Sequence, residues 1–511
     1  MNNLNFDNNL SKYDDLICQI TKFTNSLGLY IVGKIKLSLS ISSSITNGIL
    51  NNFLNFKELG IGFHLFNSEG YSTFLSTSNI DLNNLKKMIL SGANLLKNFQ
   101  KYYNEPNKNI FELNPIKAKL LKNPEFDLNN LNSSEFQNKF LNFYKELPIE
   151  NSLSYNIGIS LKYNETFIFR SDGTNILYND FYSVITGDIS KSDNSKGSLY
   201  YKVHKFGVNV IDDNEKLNKF IKLTNKNNSL VKKIAEADMI DAGNYNIIID
   251  YALAKGLAHE AFGHAAETDS IENSILAKDK KFNKGLVVGK PYLNIIDESF
   301  DNEWAYSPFS DYGGIRQRVH IVKEGILNCG LSDIFSYKKA NTLLTNAERS
   351  ESYSDIPIPR MSNIRIELDE NSVYKDKIFD KDFDDIEPEN VLEYTYNNNL
   401  FNNDKEIVLL SGYKGGQVDT VKGNFVFNCQ AIYKKEGNKI KIFKPSIFSG
   451  STLKTLNSIS FGIGDLKLDA IGRCGKSGQS VNSSGGSHYY IGINYNDQII
   501  IGGKKYIDTL I

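Results

Sequence analysis

Two histidines and a glutamate are the residues of this sequence whose types and spacing could do metal chemistry. They lie in the stretch 259–264, with the sequence HEAFGH. Imidazole nitrogens are common zinc ligands, and a neighbouring carboxylate can act as a general base. In the related pattern H-E-x-x-H, both histidines bind zinc and the glutamate is the base of a peptidase. The stretch therefore predicts a metal site with His259 and His264 as ligands and Glu260 as the base.

The spacing of the two histidines is unusual for one helix. Because an α-helix turns about 100° per residue, side chains five residues apart point about 140° away from each other. A straight helix cannot direct His259 and His264 at one ion. The helix must widen into a π-type turn or end between them. Gly263 is the residue that tolerates such a distortion best.

A third metal ligand must come from another part of the chain, because catalytic zinc usually has three protein ligands and one open position. The candidates are Cys474, His488, Glu267, Asp269 and His320. Cys474 lies in the stretch GRCGKSGQS, whose glycines would let the backbone bend around a metal. The neighbouring cations would favour a thiolate. A single cysteine is more often a small buried apolar residue, so the residues alone leave this ligand open.

The elements around the motif indicate a buried helix followed by a β-rich region. A short strand at 246–250 leads into the helix 251–266, which is apolar on most sides and therefore belongs to a core. Later strands are predicted at 287–296, 317–326, 424–433 and 440–443. A helix is expected near Pro388. Gly412, Gly415 and Gly416 precede Gln417, and they form either a hairpin turn or a close approach of the backbone to a ligand.

The first half of the chain reads as mixed α and β. A strand at 61–66 and a partner at 71–75 predict a hairpin, and Asp81 can cap the helix that follows. A second helix covers 136–147, and strands return from 154 to 185. A polar, lysine-rich stretch ends at residue 233. We therefore predict an α+β protein with an N-terminal α/β domain of mostly antiparallel sheet, 1–233, and a β-rich domain, 234–511.

Composition narrows the classes of protein to consider. With 511 residues, 58 basic and 59 acidic side chains, the chain has a net charge of −1, so no nucleic acid or acidic membrane is expected as partner. No run approaches the roughly 18 apolar residues of a membrane span. The start of the sequence lacks a signal-peptide pattern, and the four cysteines form no C-x-x-C pair. These observations predict a cytoplasmic protein.

At this point the sequence resembles the TldD/PmbA metallopeptidases. The family pattern H-E-x-x-G-H-x-x-E matches HEAFGHAAE at 259–267, and G-x-C-G-K-x-G-Q-S matches 472–480. Segments such as DYGGI at 311–315 and GGQV at 415–418 also look like family segments in order and spacing. The resemblance is clear from 243 to 493, and weaker before residue 230.

The resemblance implies a zinc ion held by His259, His264 and Cys474, with Glu260 as the base. It implies cleavage of peptides with little structure, such as leader segments. It also implies a barrel-like C-terminal β domain around the motif helix. A dimer is expected, either of two identical chains or with a TldE/PmbA-like homologue. Extended substrate could pair with a strand edge lined by Gly415, Gly416 and Gln417.

Two alternatives to a zinc peptidase stay open from the sequence. One is a non-catalytic partner or regulatory subunit with a structural zinc site, whose fourth position would be closed by His488 or Glu267. The other is a metal-dependent hydrolase of a non-peptide substrate.

Overall fold

Two large β-sheets, one from each half of the chain, dominate the fold. The computed structural model describes residues 10–51, 53–103, 106–122, 133–191, 198–207 and 209–502. The predicted α+β class is confirmed. None of the described helices is long and apolar enough to cross a membrane.

The helices are of three kinds. The α-helices are α1 Asp14–Ser26, α2 Leu82–Tyr103, α3 Ser133–Glu146, α4 Asn214–Glu236, α5 Tyr251–Gly256, α6 Pro388–Asn397 and α7 Thr452–Asn457. A π-helix covers Leu257–Gly263. The 3-10 helices are Leu10–Tyr13, Asn109–Glu112, Val210–Asp212, His264–Ala266, Thr268–Asn273, Glu370–Ser372, Lys377–Phe379 and Phe383–Asp385.

The first sheet is antiparallel except at one edge. Its strands are β1 Tyr30–Thr46, β2 Ile49–Leu50, β3 Leu54–Phe66, β4 Ser72–Thr77, β5 Lys117–Leu120, β6 Leu153–Arg170, β7 Asn175–Lys191 and β8 Ser198–Phe206. The order is β4-β3-β1-β6-β7-β5, and β2 and β8 pair with β1 and β7. Only β5 pairs in parallel, with β7. The mostly antiparallel sheet predicted for the first half is therefore confirmed.

Local chemistry explains the predicted hairpin and the helix after it. The side-chain oxygen of Asn67 accepts hydrogen bonds from the backbone N–H groups of Glu69 and Tyr71, which closes the turn between β3 and β4. Asp81 Oδ1 accepts hydrogen bonds from the N–H groups of Asn83 and Asn84, so Asp81 caps α2 as predicted.

The two faces of the first sheet differ in character. Along β1, Ile35, Leu37 and Leu39 enter the apolar core that α1, α2, α3 and α4 cover. Because side chains alternate along a strand, Lys34 and Lys36 lie on the opposite face. That polar face looks toward the second half of the chain: Lys34 Nζ bonds Asp311 at 2.7 Å, and Lys36 Nζ bonds the carbonyl of Glu351 at 2.6 Å.

The second sheet has fourteen strands in the described part of the chain, and the motif helix packs against it. The strands of the second half are β9 Asn246–Asp250, β10 Ala277–Lys278, β11 Lys281–Phe282, β12 Leu293–Glu298, β13 Val319–Lys323, β14 Ile326–Leu327, β15 Glu348–Arg349, β16 Ile358–Pro359, β17 Asn363–Leu368, β18 Val373–Tyr374, β19 Ile407–Asp419, β20 Asn424–Glu436, β21 Lys439–Phe443, β22 Ile447–Ser451, β23 Ile459–Lys467, β24 Gly472–Lys476, β25 Gln479–Ile493 and β26 Ile499–Ile501. Short pairs β10-β11 and β15-β16 stand apart.

The order of the large sheet is open in the described part of the chain. It runs β14-β13-β12-β17-β25-β9-β19-β20-β22-β26, so its two ends are different strands and it is not a closed barrel. The buried strand β9 lies in the middle, antiparallel to β25 and parallel to β19. Because β9 leads directly into α5, the motif helix starts from the centre of the sheet.

Two strand predictions needed correction at their bounds. The predicted strand 287–296 is present only from Leu293, since Gly289 and Pro291 interrupt the ladder before it. The predicted strand 317–326 divides into β13 and β14, because Glu324 and Gly325 form a turn with φ of 51° and 75°. The strands at 424–433 and 440–443 and the helix start at Pro388 are confirmed. The domain division after residue 233, near the end of α4, remains a prediction.

Candidate metal centre

The helix that carries the two histidines widens as their spacing requires. It is α-helical to Gly256, π-helical over Leu257–Gly263, and 3-10 from His264. The backbone N–H of His264 donates to the carbonyl of His259, five residues earlier. Residues five apart then share one face, and the two imidazole rings lie with centroids 5.2 Å apart. The predicted π-type turn is confirmed.

This turn requires the small size of Gly263, and it does not require the conformational freedom of a glycine backbone. Its φ of −60° and ψ of −46° are ordinary helical values, which any residue adopts. A Cβ atom at this position would lie 2.1 Å from Met361 Sδ and 2.9 Å from Ile364 Cδ1. The expectation that Gly263 absorbs a distortion is therefore replaced by close packing of the helix against β17.

Replacing Gly263 with alanine should destabilise the fold by about 1–3 kcal/mol, because the added methyl group overpacks a closed core. The metal content of the purified protein should fall with it, since the displaced helix carries both histidines. Thermal melts and metal analysis measure the two effects. Gly475→Ala is the matched control, because a Cβ there meets no atom within 4 Å. Equal melting temperatures for both variants would contradict the packing role.

Three possible donors meet at the widened turn. Ligand atoms of His259, His264 and Cys474 all lie within 4.8 Å of one another. Cys474 Sγ lies 3.6 Å from His264 Nε2. The cysteine is on β24, which pairs with β25 so that Cys474 faces Val481. The hairpin of β24 and β25 therefore lies against the helix that carries the two histidines.

The burial, the hydrogen bonding and the chemistry of the three donor residues fit a zinc ion. His259 is fully buried, and neither of its ring nitrogens has a hydrogen-bond partner among the described residues. An unpartnered buried imidazole is costly unless something else satisfies it. Two imidazoles and a thiol are also the nitrogen and sulfur donors that zinc takes in proteins.

Glu267 orients one of the donors from behind. Its Oε2 lies 3.0 Å from His264 Nδ1, which leaves Nε2 of that ring toward Cys474. A carboxylate behind a ligating histidine fixes the ring and its tautomer. Lys476 Nζ lies 2.9 Å from the same Glu267 oxygen and 2.7 Å from Asp269. Glu267 therefore holds His264, and Lys476 holds Glu267.

The pKa values of the donors follow from burial and from their neighbours. Burial lowers the pKa of His259 well below its ordinary value. Burial also acts to lower the pKa of His264, but Glu267 and Cys474 outweigh it and raise that pKa. For Cys474, burial acts to raise the pKa, and the contact with His264 outweighs it and lowers the pKa of the thiol.

Solvent reaches the histidine-bearing part of this helix at two side chains. From Leu253 to Glu267, every residue is buried except Glu260 and His264. The side chain of Glu260 is 24% exposed, and its carboxylate oxygens lie 4.0 Å from His259 Nε2 and 3.7 Å from His264 Nε2. The carboxylate of Glu260 and the ring of His264 are therefore exposed to solvent at the same opening.

The other candidate third ligands lie elsewhere. His488 accepts the N–H of Leu368 at 3.2 Å and contacts the carbonyl of Gly464, so both ring nitrogens are used on β25. His320 is on β13, remote from the three donors, and Asp269 pairs with Lys476. None of them joins the donor cluster found among the described residues.

Two cations lie near the donors, and sequence reasoning assigned neither of them a place at the metal site. Lys255, one turn before His259, is buried, and among the described residues it donates only to Ser483 Oγ, at 3.2 Å. Arg360 is fully buried and donates to the carbonyl of Cys474, while its Nε and Nη1 have no partner among the described residues. The scarcity of arginine in a lysine-rich chain was a signal for Arg360. Nothing in the pattern marked Lys255.

The predicted substrate edge is a real strand edge beside the helix. Gly415, Gly416 and Gln417 lie in β19, at a bulge between Tyr413 and Gly416. Strand β19 pairs with β9 only through Ile407–Leu410. Beyond that range, the same edge has no strand partner in the described part of the chain, and Tyr413 packs on Gly256 of the helix.

A mixed α+β protein with a buried two-histidine, one-cysteine cluster and an accessible glutamate has the donor set of a metal site. The family model of the PmbA/TldA metallopeptidase C-terminal domain matches residues 242–485. A metalloprotease of Methanocaldococcus jannaschii is 30% identical over 344 residues, covering 66% of this chain and 68% of that protein.

A second relative, a metalloprotease of Archaeoglobus fulgidus, is 30% identical over 259 residues, covering 50% of this chain and 54% of its own length. The chain therefore spans about half the length of that relative.

Among solved structures, TldE of Thermococcus kodakarensis has a TM-score of 0.68 at 13% identity, covering 96% of this chain and 99% of its own. At that identity the likeness shows the fold alone. The chain belongs to the PmbA/TldD metallopeptidase family.

Proposed function

We propose that this protein is a zinc-dependent peptidase that hydrolyses unstructured peptides or leader segments. The observation that carries the proposal is the single opening of the buried helix. It exposes Glu260 and His264, the carboxylate and one of the three donors, and little else. A site that only needs to stabilise the fold does not require an accessible base. The names of the relatives as metalloproteases support the same class.

The proposed ligands are His259, His264 and Cys474. Zinc bound there would lower the pKa of a water molecule and polarise the scissile carbonyl. Glu267 holds His264 in position through the 3.0 Å contact to Nδ1. Arg360 holds the carbonyl of Cys474, so the hairpin ligand is anchored by its backbone as well. The contact of Glu267 with His264 and the contact of Arg360 with the Cys474 carbonyl keep the donor atoms directed at one point.

Glu260 is the proposed general base. Its carboxylate stands beside both histidine donors and is reached by solvent, so it can accept a proton from the attacking water. The same carboxyl group can then deliver that proton to the leaving amine of the cleaved peptide bond. No other carboxylate on the buried helix is accessible, because Glu267 is buried and occupied by His264 and Lys476.

The free edge of β19 is the proposed substrate-binding segment. An extended peptide can add to it through backbone hydrogen bonds, as in other strand-addition complexes. Gly415, with a φ of 90°, and Gly416, whose Cβ would lie 2.2 Å from the ring of Phe427, keep this part of the edge narrow. Gln417 would be the first polar side chain beside the substrate. Backbone pairing predicts broad sequence preference.

We further propose a cytoplasmic dimer, either of two identical chains or with a TldE/PmbA-like homologue, and a division into domains 1–233 and 234–511. The dimer rests on family membership. Four free cysteines, three of them buried, suit a reducing compartment.

Cleavage of one protein in folded and in denatured, alkylated form tests the proposal. We expect the zinc-loaded chain to cleave the denatured form, to leave the folded form intact, and to lose activity with a chelator. Equal rates on both forms would contradict a narrow site on a strand edge. If neither form is cleaved by the chain alone or with a TldE-like partner, the non-catalytic alternative replaces this proposal.

A further inference from the structure

A polar cavity lies on the reverse side of the hairpin that carries Cys474. It is formed where the polar face of the first sheet meets the second half of the chain, and its volume is about 70 Å³. Three neighbouring strands contribute to that face at alternate positions. These contributions are Lys34 and Lys36 of β1, Lys162 and Asn164 of β6, and Asp180 and Tyr182 of β7.

The charges around this cavity do not balance. Five cations line it against three carboxylates; the cations are Lys34, Lys36, Lys162, Arg349 and Arg473. The carboxylates are Asp180, Asp311 and Glu351. A cavity with an excess of cations attracts an anion.

Two of the carboxylates already have strong partners. Asp311 Oδ2 accepts hydrogen bonds from Lys34 Nζ at 2.7 Å and from Ser350 Oγ at 2.6 Å. Glu351 Oε1 accepts from Arg473 Nη2 at 3.0 Å, and its Oε2 accepts from the backbone N–H of Ser480 at 2.8 Å. These two carboxylates therefore pair directly with Lys34 and Arg473, and neither forms an ion pair with Lys36 or Lys162.

The third carboxylate is a weak counter-ion. Asp180 Oδ1 accepts a hydrogen bond from Asn164 Nδ2 at 2.6 Å, a neutral donor. Burial raises the pKa of Asp180, which disfavours its charged form.

Lys36 and Lys162 are the cations with donors to spare. Lys36 Nζ makes one hydrogen bond, to the carbonyl of Glu351. Lys162 has no hydrogen-bond or ion-pair partner among the described residues. Burial, and then the charges of Lys34 and Lys162, lower the pKa of Lys36 to about 8. An ammonium group crowded by like charges in this way is stabilised when an anion joins it.

We propose that this cavity binds one compact oxyanion, a phosphate or carboxylate group, between Lys36 and Lys162. The cavity has room for one such group. Trp304 also lines the cavity: its ring packs at 56° to the ring of Tyr182 with centroids 4.6 Å apart, and its Nε1 donates to the carbonyl of Gly472. The site is distinct from the donor cluster, because side chains alternate along β24 and Arg473 faces away from Cys474.

Titration calorimetry with inorganic phosphate, at constant ionic strength, tests the site on the zinc-loaded full chain. We expect saturable binding to the parent and an affinity about tenfold to a hundredfold lower in Lys162→Gln, since a charged hydrogen-bond donor is removed. Lys57→Gln is the matched control, because Lys57 is an exposed lysine on the neighbouring strand β3. Its phosphate affinity should equal that of the parent.

A second arm identifies the source of the oxyanion. N-acetylalanine presents a peptide carboxylate, and N-acetylalaninamide presents the same group without the charge. Binding of the acid and not of the amide, lost in Lys162→Gln, assigns the cavity to a peptide carboxylate; a preference for phosphate assigns it to a phosphate group. If Lys162→Gln unfolds, Lys36→Gln replaces it. Absence of binding by phosphate and by N-acetylalanine, or equal affinities in parent and lysine variants, overturns the proposal.

Discussion

Replacing Glu260 with glutamine should leave zinc bound and reduce turnover of an unstructured peptide by ~10² to 10⁴. The amide keeps the shape of the side chain but cannot accept a proton at neutral pH. The three proposed donors are untouched, since Glu260 lies 3.7 Å or more from the histidine nitrogens. Mass spectrometry measures the zinc content, and chromatography measures the rate of peptide cleavage.

The matched control for this variant is Glu272→Gln, which removes a carboxylate from an exposed position a few residues further along the chain. It should keep both zinc and activity. A Glu260→Gln variant that cleaves at nearly the parental rate would exclude Glu260 as the base. Loss of zinc together with activity would instead make Glu260 part of the metal-holding structure.

Replacing Cys474 with alanine should weaken zinc binding by orders of magnitude, because one of three proposed ligands is lost. The remaining histidines still face each other across the π-turn, with ring centroids 5.2 Å apart, so weak binding should persist. Metal content per chain after dialysis is the measurement. The helix and hairpin pack through other residues, so the fold should survive the substitution.

Cys329→Ala is the control for that experiment, since Cys329 is also a buried free cysteine but lies outside the donor cluster. Its zinc content should equal that of the parent. Unchanged zinc in Cys474→Ala would mean that the third ligand is another group.

Local patterns were enough to predict much of the fold. The strand at 61–66, the Asn67 turn and the Asp81 cap depend on neighbours in the sequence, and the structure confirms them. The five-residue spacing of His259 and His264 likewise required a widened turn, which is present. Predictions of this kind succeed because the cause and the effect lie within a few residues of each other.

Long-range placement could not be predicted in the same way. Cys474 and His264 are 210 positions apart, and the residues alone left Cys474 as one of several candidates; only the family resemblance preferred it. The role of Gly263 depends on Met361 and Ile364, which no local pattern brings near. The cation-rich cavity needs three strands in register, so Lys36 and Lys162 looked like ordinary exposed lysines in the sequence.

The widened turn also changes the direction in which the next side chain points around the helix axis. A π-turn contains one residue more than an α-turn, so His264 is rotated by about one residue, roughly 100°, from where a regular helix would place it. An alignment of this helix with an H-E-x-x-H helix, anchored on the first histidine, therefore needs a one-residue gap before His264, and without the gap it would pair Gly263 with a metal ligand.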